Sequence, residues 1–247
     1  MMILPDLRDP DEYALFLDFD GTLVAIADHP DEVQLDPLTR IALMDLNQLL
    51  SGALAIVTGR EIAVIDTYLT PLRLSVAGVH GLTRRDAHGR IWTSAFDAAL
   101  PDALERAVAP LLKKYPELLI ERKFGAVALH YRGHPELEQA SIDAMETAVA
   151  GLKETEIKRG KMVVEVKAIG GNKGAAITDF LKEEPFTGRR AVFAGDDVTD
   201  EDAFILVNAK GGISIKVGPG ATNATYRTSG TAEFLDWLRR LPAQLAG

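Results

Sequence analysis

Tyr13-Ala14-Leu15-Phe16-Leu17-Asp18-Phe19-Asp20-Gly21-Thr22-Leu23 is an apolar run that ends in two carboxylates, a glycine and a hydroxyl. A short apolar run closed by a turn signal reads as a buried parallel strand. In open α/β sheets, ligand chemistry lies beyond the carboxyl ends of such strands. Asp18 and Asp20 are two apart, so they leave the strand on the same side. Two carboxylates forced together do not both ionise without a cation, a lysine or a shared proton. A lone Asp-x-Asp after a strand is commonly a cap or an Asx-turn. Here Gly21 permits a tight turn and close backbone approach, and Thr22 offers a hydroxyl to a ligand. The stretch points to an enzyme.

Outward from this strand the pattern alternates. Ala14–Phe19 is followed by a helix over about Pro37–Leu50, a strand at Ala53–Val57, a helix over about Glu61–Leu69 and a strand at Leu74–Ala77. Asp36-Pro37 is a suitable N-cap and N1 pair for the first helix. Such alternation implies βαβ units on a parallel sheet. The texture then changes. Arg84 to Trp92 reads as a hairpin, followed by a helix over about Pro101–Tyr115 and strands at Leu118–Arg122 and Ala126–Tyr131. A helix over about Pro135–Leu152 and a strand at Met162–Val166 complete an α+β pattern. After Gly170 the βα rhythm returns, with a helix from Gly174, strand Ala191–Ala194, a helix from about Asp200, strand Ile213–Val217 and a helix at Ala232–Leu241. The expected fold is a doubly wound, Rossmann-like parallel-sheet core over 1–84 and 169–247, interrupted by an inserted α+β cap over 85–168.

Three further turns carry chemistry. Thr58-Gly59-Arg60 follows a strand with a hydroxyl and backbone N–H groups suited to an anion, although a plain helix cap uses the same residues. Gly170-Gly171-Asn172-Lys173-Gly174 opens a helix but fails the P-loop template, which ends in Gly-Lys-Ser/Thr. Its lysine suits a fixed cation beside a phosphate or an exposed cap. Gly195-Asp196-Asp197-Val198-Thr199-Asp200-Glu201-Asp202 packs acids that repel one another without a counterion. Oxygen-only ligands favour Mg²⁺ over zinc, and the EF-hand spacing is missing.

Bulk composition narrows the setting. Apolar residues at 47% and charged residues at 26% describe a globular chain rather than a disordered one. A net charge of −9 without a basic block argues against nucleic acid or an anionic membrane as partner. The absence of cysteine excludes disulfides and thiolate metal sites. No signal peptide or membrane-length apolar run is legible, so the expected location is the cytoplasm.

In motif order the chain resembles the haloacid dehalogenase superfamily of phosphohydrolases. That resemblance implies phosphoryl transfer through an aspartyl-phosphate, with Asp18 as nucleophile and Asp20 as the acid that protonates the leaving oxygen and then activates water. It implies that Thr58 and Lys173 hold the phosphoryl group, with Gly59 and Arg60 beside it. Asp196, the Asp18 carboxylate and the Asp20 carbonyl would bind Mg²⁺, supported by Asp197 and Asp200. The expected division is an ionised Asp18 and a protonated Asp20.

The segment between the second and third motifs narrows the resemblance. Gly78-Val79-His80-Gly81, Glu121-Arg122-Lys123, Leu129-His130-Tyr131-Arg132, Glu165 and the Asp-rich turn together are similar to the trehalose-6-phosphate phosphatase family. This implies that Glu121, Lys123 and Glu165 grip the distal glucose, with His80, His130 and Arg132 near the sugar, and a functional pairing with a trehalose-6-phosphate synthase. Edge-strand charges that protect an exposed sheet are the bland alternative for the same residues. Ala168 stands where the family usually has proline. Rival readings are another capped sugar phosphatase (for sucrose 6-phosphate, a mannosyl phosphoglycerate or a hexose phosphate), a phosphomutase, and a phosphate-binding regulator without catalysis.

Overall fold

Each residue of β1 (Tyr13–Leu17) is buried, as an apolar strand without alternation requires when both faces of its sheet are covered. The computed structural model describes residues 4–26, 33–93, 100–123, 125–150, 155–160, 162–168 and 171–246. After β1 come α1 (Pro37–Leu49), β2 (Leu54–Val57), α2 (Ile62–Leu69), β3 (Ser75–Gly78), β4 (Thr83–Arg85) and β5 (Ile91–Thr93). Next are α3 (Leu100–Lys114), β6 (Leu119–Lys123), β7 (Ala126–His130), α4 (Glu138–Val149), β8 (Thr155–Gly160) and β9 (Val163–Ala168). The chain ends with α5 (Lys173–Phe180), β10 (Arg190–Gly195), α6 (Glu201–Ala209), β11 (Ile213–Val217), β12 (Tyr226–Thr228) and α7 (Thr231–Leu245).

The chain divides into two compact units, residues 1–92 with 171–247, and residues 93–170. In the first, the sheet order is β12-β11-β10-β1-β2-β3-β4-β5, parallel from β12 through β3. From β1 the chain steps outward to β2 and β3 on one side, and later returns to β10 on the other. This reversal beside β1 leaves a crevice beyond its carboxyl end, where doubly wound sheets bind ligands. Phe16 on β1 lies 5.5 Å from Phe186 and 6.0 Å from Phe180, centre to centre, in the layer under α5. Asp36 caps α1 by accepting from the Thr39 N–H at 3.1 Å, and Arg239 of α7 donates to the same carboxylate at 2.7 Å.

The second unit is a separate antiparallel sheet, β6-β7-β9-β8, with its own core. Val127, Leu129, Val164 and Val166 alternate along β7 and β9 and pack with Leu104 and Val108 of α3 and Ile142 and Met145 of α4. One face of this sheet is therefore covered by helices, and the period of two leaves the polar residues on the other.

Several expectations need correction in detail. The units divide at Trp92 and Gly170, beyond the boundaries of 84 and 168 read from the sequence. Sheet pairing is the reason: β4 runs antiparallel to β3, with Arg85 opposite Val76, and β5 continues the sheet. Arg85 is buried and forks Asp66 at 2.7 Å twice, while Arg84 forks Glu183 at 2.7 Å twice and covers the Phe180 ring. β8 and β12 were not legible as strands, β8 because its Glu-Ile-Lys-Arg pattern is that of an exposed edge. The long expected helix from Pro135 is a 3₁₀ turn followed by α4, and residues 151–154, over which its end was expected, lie outside the described residues.

Two outcomes test this packing. Phe16→Ala is expected to cost about 3–5 kcal/mol by urea unfolding, as truncation of a buried phenylalanine does, and a loss under about 1 kcal/mol would contradict the packing. The Arg85 hydrogen bonds hold the Asp66 carboxyl below its ordinary value, and those of Arg84 do the same for Glu183. Depressed carboxyls contribute stability that is complete above the unfolded values, roughly pH 4 to 4.5, and is lost as pH falls through the folded values. Arg85→Met is therefore expected to lower the urea midpoint at pH 7 and to flatten its fall on acidification. An unchanged acid slope would contradict the linkage.

Candidate active site

The carboxyl end of β1 delivers Asp18 into a buried position, 4% exposed, where its N–H donates to Ala194 of β10 at 2.9 Å. The first residue of α5, Lys173, meets it. Asn172 caps that helix by accepting from the Ala175 N–H at 2.6 Å, which fixes where the lysine leaves the backbone. The Lys173 Nζ lies 2.7 Å from Asp18 Oδ1 and 2.6 Å from Asp200 Oδ1. The other Asp200 oxygen accepts from the Asp197 N–H at 2.9 Å, closing a capping box on the Asp-rich turn.

Burial pulls the Lys173 ammonium down, but Asp18 and Asp200 outweigh it and hold the group above its ordinary value, so it is charged. Burial pushes Asp18 well above the usual carboxylate range; Asp200 adds to this and Lys173 opposes it. Burial also raises Asp196, with Asp200 again adding to the shift. These shifts describe an acid cluster with more negative charge to place than one contacting lysine offsets.

Asp18, Asp196 and Asp200 each bring one oxygen to within 4.8 Å of the others. An oxygen-only set with excess negative charge fits a hard divalent cation such as Mg²⁺. Gly21, at φ +73°, makes room for the Asp196 carboxylate, which a Cβ there would overlap. Both Asp200 oxygens are engaged by Lys173 and Asp197, which suits support better than direct ligation. Asp197, expected as a second support, is exposed, and its part is the capping box.

Asp20 is placed differently. Arg60 donates to it through Nε at 2.7 Å and Nη2 at 2.6 Å, so both oxygens accept. Two parallel hydrogen bonds from one guanidinium fix the plane of the Asp20 carboxyl group. The hydrogen bond to Asp20, which outweighs burial, holds the Arg60 guanidinium above its ordinary value. Thr58 is fully buried, and its hydroxyl accepts from the Arg60 N–H at 3.2 Å. Val79 and His80 take left-handed backbone at φ +49° and +55°, a strained pair for a β-branched residue and its neighbour. They are held by Val79 N–H to Arg60 O at 3.0 Å and His80 N–H to Thr58 O at 2.9 Å. Gly59 lies beneath them, where a Cβ would stand 2.8 Å from the His80 ring.

Asp18, Asp20, Thr58, Arg60, Lys173 and Asp196 thus line one cleft of about 730 Å³, with Gly59, His80 and Asp197 on its walls. The remaining expected residues lie in the second unit. Register places Glu121 opposite Ala128, and Ala128 opposite Glu165, so the two glutamates share one row and one face of the sheet. His130 Nε2 is 2.9 Å from Glu121 Oε2. Lys123 holds the register position opposite Ala126, and its side chain lies outside the described residues. Arg132 is exposed just after β7. Arg122, in contrast, is drawn to Asp102 and Glu105 of α3.

Two participants were missed from the sequence. Lys216 of β11 is buried and donates from Nζ to the Asp196 carbonyl, anchoring the Asp-rich turn. Its signal was present as the lone charge in Ile213-Ser214-Ile215-Lys216-Val217. Tyr68 of α2 accepts from Arg60 Nη1 at 3.3 Å, and no spacing rule links it to Asp20.

Known proteins place this arrangement in a lineage. The family model described as trehalose-phosphatase matches residues 16–232. The trehalose-6-phosphate phosphatase of Escherichia coli K12 is 39% identical over 238 residues, 95% of this chain and 88% of that protein. A probable trehalose-phosphate phosphatase of Sinorhizobium fredii is 43% identical over 213 residues, 85% of this chain and 80% of its own. A crystal structure of a trehalose-6-phosphate phosphatase related protein superposes with a TM-score of 0.68 at 31% identity, covering 93% of this chain and 96% of its own. With a buried aspartate, a lysine and an acid turn converging on one cleft, the chain belongs to the trehalose-phosphatase family.

Proposed function

We propose that the chain hydrolyses trehalose 6-phosphate to trehalose and phosphate through an aspartyl-phosphate on Asp18. The observation that carries this reading is the buried Asp18–Lys173–Asp200 cluster with Asp196 beside it. In the first step an Asp18 oxygen attacks phosphorus, the bond to the sugar oxygen breaks, and that oxygen takes a proton from Asp20. In the second, water attacks phosphorus, Asp20 takes the water proton, and the electron pair of the breaking bond returns to the Asp18 carboxylate. Lys173 offsets the charge that two anions bring together, and the Thr58 hydroxyl and Gly59 N–H orient phosphoryl oxygens. Asp18, Asp196 and the Asp20 carbonyl would hold Mg²⁺, which when bound supplies further charge compensation for the phosphoryl oxygens.

The second unit supplies substrate choice in this reading. Glu121 and Glu165 on one row, with His130 beside them, form a polar face suited to directional hydrogen bonds with sugar hydroxyls, and Lys123 would join them from its register position on β6. Arg132 stands near this face in sequence, and His80 would meet the sugar phosphate from the cleft wall. The implied partner is the trehalose-6-phosphate synthase that makes the substrate, working in the same cytoplasm.

Phosphate release from a panel of sugar phosphates tests both halves. Asp18→Asn is expected to lower turnover of every ester by at least about a thousandfold, as loss of a nucleophile within a concerted set does. Glu121→Ala is expected to lower kcat/KM for trehalose 6-phosphate by about 10- to 100-fold, and for p-nitrophenyl phosphate far less. Equal turnover of simple hexose phosphates by the wild type would remove the disaccharide reading. Chelation with EDTA is expected to abolish turnover and Mg²⁺ to restore it. Full activity in EDTA would contradict the metal assignment.

A further inference from the structure

We propose that Arg60 is the positioning residue of Asp20, fixing that carboxylate for proton transfer, and not a group that grips substrate. The inference rests on the reading of Asp18 and Asp20 given above. It replaces the expectation from the sequence that Arg60 binds the sugar phosphate.

Exposure sets up the problem. The Asp18 side chain is walled in, whereas that of Asp20 is 41% exposed, and an aspartate so placed loses rotamer freedom when it is held still. A single contact would fix one oxygen and leave the carboxylate plane free to turn. The fork from Arg60 Nε and Nη2 fixes the plane. The guanidinium is itself braced. It lies 5.6 Å from the Phe19 ring and 5.4 Å from the Tyr68 ring, those rings are 5.3 Å apart, and Nη1 donates to the Tyr68 hydroxyl. Its backbone is pinned too, the N–H to the Thr58 hydroxyl and the carbonyl to the Val79 N–H. Phe19 stands between Asp18 and Asp20 in the chain, so the segment that carries the two acids also supplies one wall of the arginine slot.

The Arg60 side chain is only 14% exposed, and Nε, Nη1 and Nη2 all donate within the protein. A residue evolved to clamp an incoming phosphate would present its fork to the cleft. This one presents its fork to Asp20. The step it governs most directly is hydrolysis of the aspartyl-phosphate: the water oxygen bonds to phosphorus, the phosphorus–oxygen bond to Asp18 breaks with its electrons returning to Asp18, and the water proton goes to an Asp20 oxygen. A carboxylate turned away from that water cannot receive its proton.

Pre-steady-state kinetics with p-nitrophenyl phosphate and Mg²⁺ separate the possibilities, because nitrophenolate leaves without protonation whereas water attack still needs a base. Arg60→Met, which keeps the stem and removes the fork, is expected to give a nitrophenol burst close to one per enzyme. The steady rate should then fall about 100-fold, the scale of lost acid–base catalysis, and KM should fall with it, leaving kcat/KM within about threefold of the wild type. Asp20→Asn is expected to look alike, the double variant to be no slower than Asp20→Asn alone, and Arg60→Lys to fall between wild type and Arg60→Met. A raised KM without a burst, or losses that multiply in the double variant, would overturn the proposal in favour of substrate binding. If Arg60→Met does not fold, Arg60→Lys carries the test, with a burst supporting the proposal and its absence overturning it. Failure of the underlying reading looks different: Asp18→Asn would then turn over the ester like the wild type.

Discussion

A lysine ammonium wedged between two buried carboxylates organises this molecule. Lys173 reaches Asp18 and Asp200 from a fixed helix start and opposes the rise that burial imposes on Asp18. Desolvation costs each ion several kcal/mol, which only close pairing and further hydrogen bonds offset. The Asn172 cap, the capping box that engages Asp200, and the Lys216 contact to Asp196 all serve that geometry. Removing one partner leaves a buried charge uncompensated, so the cluster tolerates little change.

The sheet makes the meeting possible. Strands β1 and β10 are neighbours, so Asp18 and the Asp-rich turn leave the sheet side by side. β2 lies on the other flank of β1 and delivers Thr58 and Arg60. The strained Val79–His80 pair then ties the end of β3 back to that turn. Two acids two residues apart thereby enter different surroundings. Asp18 is enclosed beside a cation and further acids, while Asp20 faces the cleft in an arginine fork. Environment, not residue type, distinguishes the two acids.

Much of this was legible in the sequence because the strongest signals are local. Apolar strands that end in Asp, Thr or an acid cluster, and a lysine leaving a glycine turn, mark Asp18, Thr58, Lys173 and Asp196. The glycines also have spatial reasons, Gly21 against Asp196 and Gly59 against His80. What was not legible depends on partners distant in the chain. Arg60 reads as an anion ligand until its fork is seen on Asp20, forty residues away in sequence. Lys216 reads as an ordinary strand charge until its contact with Asp196 is seen. The domain boundary at Trp92 depended on β4 pairing back onto β3, which a short polar strand does not announce. β8 escaped because an exposed edge strand carries charges where a core strand carries apolar residues.

The central claim is that Asp18, held by Lys173, receives the phosphoryl group. Acid quenching of Asp20→Asn during turnover of trehalose 6-phosphate, followed by peptide mapping by mass spectrometry, tests it most directly. The expected result is a phosphate on the peptide carrying Asp18, absent when Asp18 is also replaced by asparagine. Phosphate on another residue, or phosphate release with no covalent intermediate at any quench time, would contradict it.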